Sequence, residues 1–263
     1  MLRNYLKIAL RSLTKNSTYS FINIGGLAIG IACSLLIMLW VFDELSFDRF
    51  HPNVKRLTQL WVNATFDGNV NSFTSAPLPS YEKLKTASAQ IKNTAVTDWG
   101  GDYLLAVGEK RIQLRGHYAS PEFLEMFPFP VVKGDAASVL DDPQAIVLTE
   151  SAARSLFGDK DPLGQVVLLD NSGQMKVTGI LKDVPSNSSF QFSFLASFEE
   201  FRKQDWVKRS ETSWGNYSFP IYVELQSDDA LPAVNEAIRD ILTKEGQTDV
   251  KREFFLHPME RWN

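Results

Sequence analysis

Histidine, cysteine and paired carboxylates are the side chains through which a chain of this size could hold a metal or move protons, and their spacing here serves neither purpose. His51, His117 and His257 stand far apart, with no i, i+4 pair on a helix and no flanking ligand pattern, so they read as surface or structural residues. Asp141-Asp142, Glu199-Glu200 and Asp228-Asp229 are neighbours in sequence. Adjacent side chains of an extended segment point to opposite sides, so these pairs do not converge on one proton and read as solvated loop charges. Cys33 is the single cysteine and sits inside an apolar run, where no disulfide forms and a small packing role fits. No glycine loop followed by Lys-Ser/Thr occurs, so nucleotide hydrolysis is not expected within this chain. The expectation is a protein with no catalytic residue, no cofactor and no metal.

The elements that could position a site begin with a membrane segment. From Asn16 to Phe42 there is no charged side chain, and its most apolar part, Phe21 to Phe42, spans roughly 33 Å as a helix, enough for a hydrocarbon layer of about 30 Å. A soluble core rarely holds so long an uncharged stretch. A cleavable signal peptide would have a shorter apolar region ending in small residues, whereas this one ends Leu39-Trp40-Val41-Phe42. Lipidation at Cys33 would discard half the run. Arg3, Lys7, Arg11 and Lys15 precede the segment, and Asp43, Glu44 and Asp48 follow it, which places the N-terminus in the cytoplasm and the remainder outside.

Residues 1–17 carry a second helical pattern. Leu2, Tyr5, Leu6, Ala9, Leu10 and Leu13 share one side, and the four basic residues form the opposite stripe. Such a helix lies on the inner leaflet with its cations toward lipid headgroups, or docks on a cytoplasmic partner; the membrane-surface reading is held first. Gly26 and Gly30, with Gly25 beside them, offer a face on which another helix could pack. The boundaries expected are a cytoplasmic amphipathic helix at 1–17, a transmembrane helix at 18–43 and an extracytoplasmic domain at 44–263.

Residues 1–42 hold four of the 27 basic residues and none of the 31 acidic ones, leaving 23 basic against 31 acidic in the rest. That balance does not invite a polyanion, and nucleic-acid binding is not expected. Alternation predicts a strand at 57–66 before the turn Asp67-Gly68-Asn69, and a helix from Ser80 to about Ile91. Further strands are expected at 103–107 and 110–117 about Gly108-Glu109, then at 145–148, 165–169, 175–181 and 190–194, within 214–225, and at 254–257. Helices are expected at 120–127, from Thr149 to Phe157 before Gly158, and from Pro232 to about Lys244. Irregular alternation with hairpins implies a mixed α+β domain of two lobes. Phe123, Phe127, Phe129, Phe157, Phe190, Phe192 and Phe194 are expected in its core.

The junction Asp43-Glu44-Leu45-Ser46-Phe47-Asp48-Arg49-Phe50-His51, directly after a basic, glycine-containing span, resembles the start of MacB/FtsX-type ABC transporter permeases, particularly those common in Bacteroidetes. Residues 120–134, 146–164, 177–189 and 214–225 resemble that family's periplasmic core domain, in the expected order. The resemblance implies a non-enzymatic permease subunit of the inner membrane. It would dimerise, or pair with another permease, and work with a separate cytoplasmic ATPase in export or in relaying force. Family permeases carry three more membrane helices after the outer domain, among which the ATPase is contacted, so this chain is expected to be an N-terminal fragment. The alternative is a membrane-anchored extracytoplasmic sensor or ligand-binding module.

Overall fold

The computed structural model describes residues 2–15, 17–136, 138–171 and 173–262, and it divides into two compact units, Met1–Phe47 and Asp48–Asn263. The first unit holds α1 (Leu2–Lys15) and α2 (Ser17–Ser46). No residue of α2 is buried: Phe21 is 79% exposed and Trp40 65%. Thirty residues of helix with this composition are long and apolar enough to cross a membrane.

The second unit is mixed α+β, as its sequence implies. After a 3-10 turn at Val54–Arg56, β1 (Leu57–Phe66) turns through Asp67 and Gly68, both at positive φ, into β2 (Asn69–Phe73). An Asp-Gly pair is the chemistry such a tight hairpin needs. There follow β3 (Ala76–Pro77), α3 (Pro79–Lys85), β4 (Ile91–Val96), and the hairpin of β5 (Gly101–Val107) and β6 (Lys110–Ala119). Then come α4 (Glu122–Met126), β7 (Val131–Lys133), β8 (Ala145–Thr149), α5 (Glu150–Phe157), β9 (Val166–Leu169) and β10 (Gly173–Leu181). The chain continues through β11 (Phe194–Ser197), α6 (Phe198–Arg202), α7 (Asp205–Ser210), β12 (Tyr217–Phe219) and β13 (Ile221–Leu225), and ends with α8 (Leu231–Ile238), α9 (Ile241–Lys244) and β14 (Lys251–Pro258).

Two large sheets organise these elements, and β3 and β12 pair in a short third one. One has the order β14-β1-β13-β4, with β2 added to β1. Its β1–β14 ladder is antiparallel from Thr58↔Pro258 to Thr65↔Lys251. The other has the order β7-β10-β8-β11-β6-β5-β9, and β9 also pairs with β10, so six strands close into a barrel with β7 outside the ring. Closure removes unpaired edges and leaves the interior to side chains. Leu105, Ile146, Val167, Met175, Val177 and Phe194 join one buried cluster, which also takes in Leu60, Val62 and Val223 of the first sheet and Val234 and Ile238 of α8. The two parts are therefore not cored separately. A second cluster gathers Phe123, Phe127, Phe129, Phe190 and Phe192 around Tyr222. All seven phenylalanines expected in the core are buried, from 0% exposed for Phe127 to 8% for Phe157.

Four local expectations need correction. The helix at Ser80 ends at Lys85, and residues 91–96 form β4, which pairs with β13 over Ile221↔Val96 to Leu225↔Ile91. Residues 190–193 alternate apolar and polar without being a strand: Gln191 donates to the carbonyls of Pro185 and Ser188, and only Phe194 enters β11. The last helix breaks at Arg239, whose carbonyl accepts a hydrogen bond from the Phe254 amide of β14 instead of continuing a helical ladder. Glu199 and Glu200 lie on α6, not in a loop.

Candidate functional site

Three places in the chain carry polar or small residues that a simple packing role does not absorb. The first is helix α2, uncharged from Ser17 to Phe42. A Cβ built on Gly25, Gly26 or Gly30 meets nothing within 4 Å, so this strip of backbone is open to close approach by another helix. Ser34 returns its hydroxyl to the Gly30 carbonyl at 2.9 Å, which satisfies a polar group within the helix itself. Cys33 is exposed on the same helix. On α1, Lys7, Arg11 and Lys15 are exposed, as are Tyr5, Ile8 and Leu13; the side chain of Arg3 lies outside the described residues.

The second place is the start of the folded unit, residues 48–56. Asp48 is 1% exposed and stands at φ 56°, a left-handed conformation tolerated by aspartate. Its amide donates to the Asn187 carbonyl at 2.9 Å, and its carboxylate accepts from the Ser189 amide at 2.8 Å and from the Ser189 hydroxyl. Burial raises its pKa, and the bonds from Ser189 act in the opposite direction. Three residues on, His51 is 1% exposed, packed edge-on to Phe127 and Phe129 with ring centroids at 5.7 and 5.2 Å. Desolvation lowers its pKa to about 4, so the imidazole is neutral at neutral pH. Asn53 then donates to the Met126 carbonyl and to Glu224, a carboxylate 1% exposed that also receives Lys92 at 3.1 Å and Asn93 at 3.2 Å. The Asp48 to Asn53 stretch is thus fastened to a loop, an aromatic cluster and a central strand in turn. The sequence pattern marks this stretch as a signature; Asp48 and Asn53 prove to be internal fasteners, His51 is packed among phenylalanines, and Arg49 stays exposed.

The third place was not foreseen. A cleft of about 840 Å³ opens between the two sheets. One wall is β-sheet from the first part: Gln59 and Trp61 of β1 face His257 of β14, with Trp61 and His257 stacked at 4.3 Å and 28°. Trp61 donates its indole N–H to Gln59, whose amide nitrogen donates to the Thr74 carbonyl at 3.0 Å, so the plate is held in position. The opposite wall is β6, where Arg115 and His117 project on the same face because they are two residues apart. His117 is pinned from behind. Its Nδ1 lies 3.3 Å from the Asp98 carboxylate, which is itself held by hydrogen bonds from the Tyr103 hydroxyl at 2.6 Å and the Tyr118 amide at 3.0 Å. Gly100, at φ +68°, lies so close that a Cβ there would sit 2.3 Å from the imidazole. Phe190, Tyr222 and Trp262 form the floor, with Phe190 and Tyr222 both edge-on or tilted to Trp262 at 6.0 and 5.8 Å.

Two of the three histidines thus share one cleft, which their spacing in sequence did not reveal. The alternation of Gln59 and Trp61 along β1 and of Arg115 and His117 along β6 is the signal that puts each pair on one face. What sequence could not supply is that the two faces oppose each other.

The profile of the MacB-like periplasmic core domain matches residues 20–241. No protein with a curated description matches the chain. Among solved structures, a domain of a permease protein from Porphyromonas gingivalis is 20% identical, covering 79% of this chain and 91% of its own, with a TM-score of 0.66. The extracellular domain of the noncanonic ABC-type transporter YknZ from Gram-positive bacteria is 17% identical, covering 76% and 99%, with a TM-score of 0.54. The periplasmic region of MacB from Actinobacillus actinomycetemcomitans is 16% identical, covering 77% and 89%, with a TM-score of 0.52. At these identities the structural likeness is one of fold.

Proposed function

Because the chain belongs to the family of MacB-like periplasmic core domains, we propose that it is a permease component of a MacB/FtsX-type ABC transporter, with α2 as its first membrane span and the folded unit on the outer side of the inner membrane. The observation that carries this reading is a long helix, uncharged from Ser17 to Phe42 and with no buried residue, joined in one chain to the fold of the family's domain, whose profile begins within that helix. The basic residues lie before the span and the first acidic ones after it, so the N-terminus is cytoplasmic. α1 then rests on the inner leaflet, with Arg3, Lys7, Arg11 and Lys15 toward anionic headgroups.

The protein works as a homodimer or as one of a permease pair, and the strip at Gly26 and Gly30 is where a neighbouring helix packs. ATP is hydrolysed by a separate cytoplasmic subunit. Its stroke reaches the outer domain through the chain that leaves α2, and the fastened stretch from Asp48 to Asn53 gives that chain a firm hold on the domain. The domain serves export or the relay of force and performs no chemistry itself.

The deciding experiment is co-purification of the full-length protein with a cytoplasmic ATPase, together with ATP turnover measured with the pair reconstituted. Stable association and a change in turnover are expected. Absence of both removes the transporter assignment, and protease reaching the folded unit only from the cytosolic side removes the orientation.

A further inference from the structure

The folded unit carries excess negative charge, yet the cleft between the sheets is lined by no carboxylate. Residues 43–263 hold 23 basic and 31 acidic side chains, whereas the charged groups in the cleft wall are Arg115 and Arg261. Neither guanidinium has a carboxylate partner among the described residues; Asp102, directly across from Arg115 on β5, does not reach it within 4 Å. Two buried acids that contact residues of the lining are already committed, Asp98 to Tyr103 and Tyr118 beside His117, and Asp48 to Ser189. Two unpaired guanidinium forks in a cleft that excludes carboxylates favour an anion, which they bind as planar donors.

The remaining lining sets the shape of that anion. Trp61 and His257 present a stacked plate, and Trp99 stands 54% exposed at the rim, a large apolar surface left toward solvent. Aromatic faces of this kind pack against a flat ring, either aromatic or the apolar face of a sugar. Gln59 is fixed by Trp61 and Thr74, and Gln191 by the 185–188 loop, so the polar groups around the plate are held before any ligand arrives. A volume of about 840 Å³ lies in the range of small-molecule sites.

We propose that the cleft between the two sheets binds a small organic anion carried on a flat-faced ring, its acidic group held by Arg115 and Arg261 and its ring stacked on Trp61. This goes beyond the permease reading and stands whether or not an ATPase partner is found.

The test uses the full chain in phosphatidylcholine nanodiscs, with calorimetric titration against empty nanodiscs as reference. The probes are 2-naphthoate, its neutral analogue 2-naphthamide, and glucuronate, the last to separate an aromatic from a sugar source of the ring. Saturable binding of 2-naphthoate or glucuronate at one site per chain is expected, with 2-naphthoate about tenfold tighter than 2-naphthamide, the scale of a charge-assisted bond. The double variant Arg115→Gln with Arg261→Gln removes that difference, Arg115→Lys with Arg261→Lys restores part of it, and Trp61→Ala weakens naphthoate and amide alike. Thermal melting of each variant reports folding, and Arg115, being exposed, is replaceable without loss of the fold. Equal affinity for naphthoate and naphthamide, indifference to both arginines in a folded double variant, or no saturable binding of either anion overturns the proposal.

Discussion

Helix α2 and strand β8 are built from similar residues and live in opposite surroundings. Ile146, Val147 and Leu148 are each 0% exposed, enclosed by neighbouring strands and by α5, while Leu35, Leu36 and Ile37 are 54–66% exposed along α2. Exposing apolar side chains to water costs about 25 cal/mol for each Å², so a helix apolar on every side is stable only in a solvent that is not water. The glycines repeat the contrast. A Cβ on Gly116 would sit 2.3 Å from the Phe194 ring, whereas one on Gly26 would touch nothing. Gly116 is closely packed within its own unit, while the glycine strip of α2 is left open.

Substitution separates the two units most strongly in the aromatic cluster. Phe127→Ala, at a side chain 0% exposed, is expected to lower the stability of the folded unit by about 3–5 kcal/mol in denaturant titration followed by tryptophan fluorescence. Leu36→Ala leaves that transition where it was. Equal shifts for both would mean that α2 packs into the fold. A charge turns the comparison round: Leu36→Arg costs about 2.5–3.5 kcal/mol of membrane insertion, read as loss from the carbonate-resistant membrane fraction. Val70→Arg on the exposed strand β2 changes folding by less than about 0.5 kcal/mol.

Acid is expected to act on the folded unit through His51. Its folded pKa, about 4, lies below the ordinary 6.5, so the unfolded state binds the extra proton between those values. The contribution of neutral His51 is whole above pH 6.5 and is lost as the pH falls toward 4, to the extent of about 3 kcal/mol. His51→Phe keeps the ring and flattens this part of the profile; an unchanged slope in that variant would assign the acid sensitivity to other groups. The glycines divide the same way. Gly116→Ala is expected to cost about 1–3 kcal/mol through overpacking against Phe194, while Gly26→Ala leaves folding unaltered and reduces self-association of α2 in bilayers.

The sequence was most legible where one residue type decides the local structure. Thr149 accepts from the Ala152 amide at 3.3 Å to start α5, and Gly158 at φ 64° ends it, both as their types predict. It was least legible where a distant strand makes the decision. Nothing in Ile91-Lys92-Asn93-Thr94 announces β4 until β13 is beside it, and the barrel closes only through the pairing of β9 with β10. The phenylalanines from 190 to 194 show the limit of pattern reading: all three are buried as expected, but the expected strand forms only from Phe194 on, because burial follows side-chain chemistry and the backbone follows its hydrogen bonds. The cleft lay beyond reach for the same reason, since Trp61 and His117 face each other only after both sheets have formed.

The pairing of β1 with β14 has a mechanical corollary. Because Thr58 lies opposite Pro258, the start of β1 and the end of β14 stand side by side, at the same end of one antiparallel ladder. A tug that drags both strands in the same direction carries the domain along and strains no rung. A tug that parts them opens the ladder like a zip, one rung at a time from the Thr58–Pro258 end, and so meets far less resistance than sliding the strands lengthwise would.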